Sequence, residues 1–495
     1  MNPIDAWRSA GGPIAARCAV IALLAIVTAP SAARSTSGAG EPTGNGASLP
    51  SGWSSHYVDE PVFHERLFVV EAGDPANPPV LLVHGLGQSA SHDWWSTIAT
   101  LQDDYHVIAP DLPGFGHSGD PGTAALSPAN YARLLHWLID HKGIAPVHLV
   151  GHSMGGTIAL FLASEWPSDV RDLVVADVPG VLHRAAFVRT LIHPEIDLSA
   201  LPNDIRLHAE RMLDAGERVV ERLATGPDIT AYLRRENGGW NRLLSGRPNT
   251  NAALSLVETS FAGRLQDLDR PVTIVWGSDD SIAPIRTGHL LEGRLPDAVL
   301  QVIDGSGHVP MRDRPAAFQR ILRHALATPL RRSGHTRPDT PGTRDLRCQD
   351  EAGRTFSGRY DRIVLDGCVN VRLRDVAAQR VDIVNSLVRM THVRIIRQRS
   401  GPALRVRESA VQATDVTLDG DPALQVDGSR LDLAGVSLHA PGAAIRVGRD
   451  SRFIFSVSDV RSDVYRGCLH GMARAARRDL EGLSALHPTD GHCPH

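Results

Sequence analysis

In "VHLVGHSMGGTIAL" (147–160), Ser153 stands between Gly151 and Gly155. An apolar, strand-like run (147–150) stops at this serine, and a small-residue, helix-compatible run follows. A strand that delivers a serine into a helix must turn within one residue. A side chain on either flank would collide with that turn, and glycine removes the collision. The turn lifts the hydroxyl above the sheet at a helix N-terminus, where unpaired N–H groups and the positive dipole end suit a developing oxyanion. Alone, the pentapeptide fits a tight strand–helix turn equally well. Its context adds weight. "VWGSDDSIAP" (275–284) places acids just past a strand, and "DGSGHVPMRDRP" (304–315) places His308 in the turn after the next strand. Serine, acid, histidine is one of the chain orders in which these groups cooperate in acyl transfer.

The segments around these residues repeat a pattern. "VLLVHG" (80–85), "HVIAPD" (106–111), "VHLVGHS" (147–153), "LVVADVP" (173–179), "VTIVWG" (272–277) and "LQVIDG" (300–305) read as strands. Most are continuous apolar runs, as expected of strands buried on both faces of a parallel sheet. Helices are expected between them at 128–141, 154–165, 284–293 and 313–327. Alternating strand and helix means a doubly wound α/β domain. Between Pro179 and Pro271 no clear strand appears. Helical patterns at 204–224 and 228–237 predict a helical insertion over 181–266.

The chain has 495 residues, too many for one ordinary core, so two domains are expected. Its net charge of −4 gives no reason to expect nucleic acid. Lys142 is the only lysine, and the many arginines read most simply as solvated surface. At the N-terminus, Arg8 and Arg17 precede the apolar "AVIALLAIVTAP" (19–30) and the small residues of "SAARS", the pattern of a secretory signal. A membrane span needs about 20 apolar residues; an uncleaved anchor is the alternative. Four cysteines follow the signal: Cys348, Cys368, Cys468 and Cys493. An even number in an exported chain favours disulfides. Proximity favours Cys348–Cys368 and Cys468–Cys493 among the three possible pairings, and no C-x-x-C pair points to a metal.

Beyond an Arg-, Pro- and Thr-rich stretch at 328–345 the texture changes. "ALRV" (403–406), "ALQV" (423–426) and "AIRV" (444–447) recur about every 20 residues. So do "SAVQATDVTLDG" (409–420), "SRLDLAGVSLHA" (429–440) and "SRFIFSVSDVRS" (451–462), with a weaker copy, "SLVRMTHVRIIR" (386–397). Short alternating strands at this period predict a solenoid of the parallel β-helix kind. A β-sandwich of hairpins is the rival.

Five motifs in order carry a family resemblance: "HGLG" (84–87), "DLPGFGHS" (111–118), "GHSMGG" (151–156), "WGSDDSIAP" (276–284) and "GSGHVP" (305–310). Residues 60–327 resemble the α/β-hydrolase fold, lipase- or esterase-like with a helical cap. The resemblance does not reach the last third, which is similar to a right-handed parallel β-helix. The implied organisation is a signal peptide (1–33), a flexible lead-in (34–59), an α/β-hydrolase domain (60–327, cap near 181–266), a linker (328–345) and a β-helix-like repeat domain with a C-terminal tail (346–495). The resemblance implies Ser153 as nucleophile, His308 as general base and Asp280, with Pro284 following, as the acid. Asp279 is one residue out of register, and Asp177 at the preceding strand end is a further candidate. The oxyanion hole is expected from the backbone N–H groups of Leu86 and Met154. No metal or organic cofactor is implied.

The expected function is an exported serine hydrolase acting on carboxylic esters or lipids through an acyl-enzyme. A C–C bond hydrolase or a lactonase on the same fold is the alternative. A serine nucleophile argues against epoxide or haloalkane hydrolysis, whose relatives in this fold carry aspartate there. Another class is a protein that binds glycan or a cell surface through the β-helix, with Asp415, Asp419, Asp421, Arg405 and Arg407 as candidate groove residues. Solvated turns explain those five residues more simply. A catalytically idle hydrolase domain used for adhesion is the third reading, and the intact Ser, Asp and His set speaks against it. His84, His117 and His152 read as structural hydrogen-bonders, and Asp111 and Gly114 as loop-shaping residues. "DWW" (93–95) either lines the pocket or packs the following helix. Trp240 reads as part of a packed cap.

Overall fold

The computed structural model describes residues 49–122, 124–192, 202, 205, 246–331, 338–398 and 400–475. The expected signal peptide, most of the lead-in, nearly all of the cap helices read at 204–224 and 228–237, Trp240 and Cys493 lie outside the described residues. Two compact units divide the chain. The first gathers 49–173, 246–256 and 311–323; the second gathers 174–192, 257–310, 324–331 and 338–475.

In the first unit, strands β1 (Ser54–Asp59), β2 (Arg66–Ala72), β3 (Pro79–Val83), β4 (His106–Asp111) and β5 (Val147–His152) form a mixed sheet. β2 pairs antiparallel with β1 and β4, whereas β3 pairs parallel with β4 and β5. β4 and β5 are buried at every residue, which is why their sequences run apolar without alternating. Helices α1 (Trp95–Leu101), α2 (Pro128–Lys142) and α3 (Met154–Glu165) belong to the same unit. The bounds of α2 are set locally. The Ser127 hydroxyl accepts from the Asn130 N–H at 3.3 Å, Pro128 opens the first turn, and Gly143 closes the helix at φ 63°. The "DWW" segment packs: Trp94 is fully buried against Phe318, and Trp95 meets Trp53 edge-on at 5.6 Å.

Strand β6 (Val170–Ala176) is followed by α4 (Arg184–Ile192) and α5 (Pro248–Val257), the described helices of the cap region. Then come β7 (Val272–Gly277), α6 (Ile285–Arg294), β8 (Ala298–Ile303), α7 (Pro310–Asp313) and α8 (Pro315–Ala327). β7 and β8 pair parallel. Among the described residues no helix is long and apolar enough to cross a membrane.

The last third is a parallel coil. β9 (Leu346–Gln349), β10 (Thr355–Asp366), β11 (Val371–Val384), β12 (Leu387–Ile396), β14 (Ala410–Asp419), β16 (Arg430–Ala440) and β18 (Ser451–Ser462) stack in parallel register. The short strands β13 (Leu404–Arg407), β15 (Leu424–Asp427) and β17 (Ile445–Val447), the "ALRV"-type repeats, stack beside them. A hairpin sandwich would pair antiparallel; among the described strands of the coil only β19 (Arg466–Ala475) does so, on β18. Each of the six long parallel strands (β10, β11, β12, β14, β16 and β18) carries one left-handed residue: Gly358, Asp375, His392, Asp415, Gly435 and Val457. From Asp375 on they recur at one place in successive rungs, where the ladder skips a residue, and they divide those strands into two stretches.

The serine that opens each repeat has a structural role. Ser386, Ser409, Ser429 and Ser451 are buried. Each hydroxyl donates to the carbonyl two residues back. The hydroxyls of Ser409, Ser429 and Ser451 each accept from the serine N–H of the preceding rung. Those pairs are 23, 20 and 22 residues apart, which is the period read in the sequence. The pattern satisfies buried backbone donors where rungs turn, so valine, leucine and isoleucine can fill the coil interior. Cys348 and Cys368 form a disulfide at the start of the coil. Cys468 is disulfide-bonded as well; its expected partner, Cys493, lies outside the described residues.

Within the second unit, α6 is fixed to the coil by a buried ion pair. Arg286 Nη1 and Nη2 donate to the Asp432 carboxylate at 2.7 and 2.9 Å, and Nε donates to Thr414 Oγ1 at 2.8 Å. Asp432 is fully buried. Burial pushes its carboxyl pKa up, but the Arg286 charge and hydrogen bonds outweigh this and hold it below the usual range. Removing one member of such a pair strands a buried charge, at a cost of about 3–5 kcal/mol. Arg189 Nη1 lies 3.7 Å from the same carboxylate and compensates in part. Arg286→Met is therefore expected to cost about 3 kcal/mol in urea unfolding at pH 7. Because the folded pKa is depressed, the difference from wild type is expected to shrink as pH falls below about 4, the unfolded carboxyl value. An undiminished difference in acid would mean that lost packing causes the effect.

Candidate active site

Ser153 sits between β5 and α3 with φ 52° and ψ −123°. A non-glycine residue there is strained by about 1–3 kcal/mol and persists only where its surroundings over-determine it. They do. The Ser153 carbonyl accepts from Gly156 and Thr157 at 2.9 and 3.2 Å, which locks the first turn of α3. A Cβ on Gly151 would overlap the Gly155 carbonyl and lie 2.7 Å from Gly156 Cα. A Cβ on Gly155 would overlap the Val83 carbonyl and lie 2.6 Å from that of His84. The glycines are required because β3 and α3 press on the same turn. Gly85 lies just as close: its Cβ would fall 2.9 Å from Ser153 Cβ. "HGLG" is thereby held against Ser153. Leu86 follows in that loop, and buried Met154 opens α3, where helix N–H groups have no partner within the helix.

His84 holds the same loop. It is fully buried, with Nδ1 2.7 Å from the Gly85 carbonyl, and Nε2 accepts from the Leu112 N–H at 2.9 Å. Burial lowers its pKa, consistent with a neutral ring protonated on Nδ1. Asp111 organises the "DLPGFGHS" turn. Its carboxylate accepts from the N–H groups of Ser91 and His117 at 2.8 Å each, and its carbonyl from the Ser118 hydroxyl. A Cβ on Gly116 would collide with that carboxylate. The His117 ring stands 3.3 Å from Asp111 Oδ2 and is mostly exposed. His152 is buried, with Trp94 edge-on to its ring.

Asp280 and His308 are brought together: Nδ1 lies 2.8 Å from Oδ2. The other oxygen, Oδ1, accepts from the N–H groups of Ile282 and Ala283 at 2.8 and 3.0 Å. The carboxylate is thus aimed by its own loop, and the Trp276 indole pins that loop by donating to the Ala283 carbonyl at 2.9 Å. Gly277 closes the arrangement, since a Cβ there would lie 2.5 Å from the Ser306 carbonyl in the His308 loop. Burial raises the Asp280 pKa, but the hydrogen bond and charge of His308 and the loop N–H groups more than offset it, so the carboxyl stays below the ordinary range. Asp279 is exposed and bonds the Ser278 hydroxyl. Asp177, at φ 49°, is buried and accepts from the Gly277 N–H at 2.9 Å, bracing the end of β7. Tryptophan before glycine at a strand end is the sequence signal for the Trp276 contact; the Asp177 contact with Gly277, 100 residues away, has no local signal.

Of the candidate groove residues, Asp415 pairs with His392 at 2.7 Å, and Arg405 donates to Gln425 at 3.3 Å within the short-strand ladder. Asp421 and Arg407 are exposed.

A family profile for the alpha/beta hydrolase fold matches residues 78–315. An uncharacterized protein of Mycobacterium tuberculosis is 30% identical over 282 residues, covering 54% of this chain and 79% of the relative. Lipase 1 of Psychrobacter immobilis is 29% identical over 268 residues, covering 52% and 82%. The solved esterase from Exiguobacterium antarcticum is 17% identical with a TM-score of 0.42, covering 56% of this chain and all of that one. The profile match falls on the strand–turn–helix at Ser153 and on the Asp280–His308 pair. The chain belongs to the α/β-hydrolase fold family as a hydrolase.

Proposed function

We propose that the protein is an exported carboxylic ester hydrolase, acting on esters or lipids through an acyl-enzyme on Ser153. The observation that carries this reading is the 2.8 Å contact of His308 Nδ1 with the loop-anchored Asp280 carboxylate. That contact places the proton on Nδ1 and makes Nε2 the basic nitrogen. His308 Nε2 takes the Ser153 hydroxyl proton as Oγ bonds to the ester carbonyl carbon. The oxyanion is received by the N–H groups of Leu86 and Met154. Collapse breaks the C–O bond, and the leaving alcohol takes the proton from His308. Water then attacks the acyl-enzyme by the same steps and releases the acid. The ester or lipid class is supported by similarity to Lipase 1. Export is supported by the N-terminal signal pattern and by the Cys348–Cys368 disulfide. A fluorophosphonate probe is expected to label the wild-type chain and to leave Ser153→Ala unlabelled. Equal labelling of both would overturn the assignment.

A further inference from the structure

The second unit gathers a different set of side chains. His289 and Glu292 lie one turn apart on α6 and so share a face. His392, one of the left-handed residues of the coil, points at them: its Nε2 is 3.2 Å from His289 Nδ1 and 3.8 Å from Glu292 Oε2. Every pair of ligand atoms in this trio falls within 4.8 Å. Two nitrogens at 2.0–2.1 Å from a tetrahedral zinc ion are about 3.3 Å apart, so the imidazoles already stand at ligand spacing.

The surroundings complete the arrangement. His392 is almost fully buried and donates Nδ1–H to Asp415 Oδ2 at 2.7 Å, which turns Nε2 toward His289. A carboxylate behind a ligating imidazole, fixing its tautomer and raising its basicity, is the usual outer shell of a metal-bound histidine. α6 is shaped to admit this carboxylate: a Cβ on Gly293 would overlap Asp415 Cγ. Glu292 Oε1 accepts from the Leu300 N–H at 3.2 Å, which orients the carboxylate. One negative carboxylate and two neutral imidazoles suit a borderline divalent cation better than calcium or magnesium, which prefer all-oxygen shells.

We propose that His289, Glu292 and His392 form a binding site for a zinc-class divalent cation, with Asp415 as the positioning residue, and that the ion ties α6 to the coil. Full-length chain without a histidine tag would be stripped with chelator and titrated with Co²⁺. The wild type is expected to bind one equivalent with visible ligand-field bands of low coordination number, to release it to Zn²⁺, and to melt at a higher temperature when loaded. His289→Gln and Glu292→Gln, folded by circular dichroism, are expected to lose the bands. Asp415→Asn, which keeps a residue type tolerant of the left-handed backbone, is expected to weaken binding 10–100-fold. X-ray absorption of the zinc-loaded wild type should show two imidazoles in the first shell and needs no variant. Absence of stoichiometric binding by the wild type, bands that survive His289→Gln, or a first shell without the imidazole pair would overturn the proposal.

Discussion

Ser153→Ala is expected to lower kcat for ester hydrolysis by about 10⁶-fold while the protein stays folded. The hydroxyl is the only part of the residue that differs, and it is the group proposed to accept the acyl chain. Alanine keeps the Cβ that rests against Gly85 and inherits the positive φ, so the backbone strain is unchanged. The melting temperature should therefore stay within a few degrees of wild type. Residual turnover of about 10³–10⁴ over water would come from the N–H groups of Leu86 and Met154. The measurement is steady-state hydrolysis of p-nitrophenyl esters of increasing acyl length, which also ranks the substrates. Full turnover by a folded Ser153→Ala would refute the acyl-enzyme.

Asp280→Asn should be nearly as damaging, with kcat lowered by about 10⁴. The reason lies in the two oxygens. Oδ1 is held by the Ile282 and Ala283 N–H groups, so an asparagine must keep its carbonyl oxygen there. Its NH₂ then faces His308 Nδ1, which can only accept. The ring proton moves to Nε2, the nitrogen needed as base. Burial, volume and loop geometry change little, so a large loss of kcat with little change in KM is the signature. Asp177→Asn is the control, because Asp177 braces Gly277. Loss of kcat in Asp177→Asn with near-normal Asp280→Asn would move the acid to Asp177.

Much of this protein could be read locally. The turn at Ser153 could be read from Gly151, Ser153 and Gly155, but only part of its cause is local: a Cβ on Gly151 would meet the Gly155 carbonyl within the turn, whereas one on Gly155 would meet the Val83 carbonyl of β3. The α/β class followed from apolar runs such as 106–111, since a strand covered on both faces has no polar side to show. The coil followed from "ALRV"-type segments and short alternating strands that recur about every 20 residues; the left-handed residues share no single type and were not legible. The choice of Asp280 over Asp279 comes from the resemblance to the α/β-hydrolase pattern; in the structure Asp280 meets His308 and Asp279 is exposed.

Contacts between distant parts of the chain could not be read in this way. Arg286 meets Asp432 from 146 residues away, and His289 meets His392 from 103. Each is an unremarkable member of its own element: an arginine on a helix, an aspartate in a strand, a histidine at a bend. Sequence determined the elements and the chemistry-bearing turns, because those obey forces acting over a few residues. Only the tertiary structure decided which charge is buried against which and which imidazoles converge, because burial and ligand spacing are set by packing and leave no period along the chain.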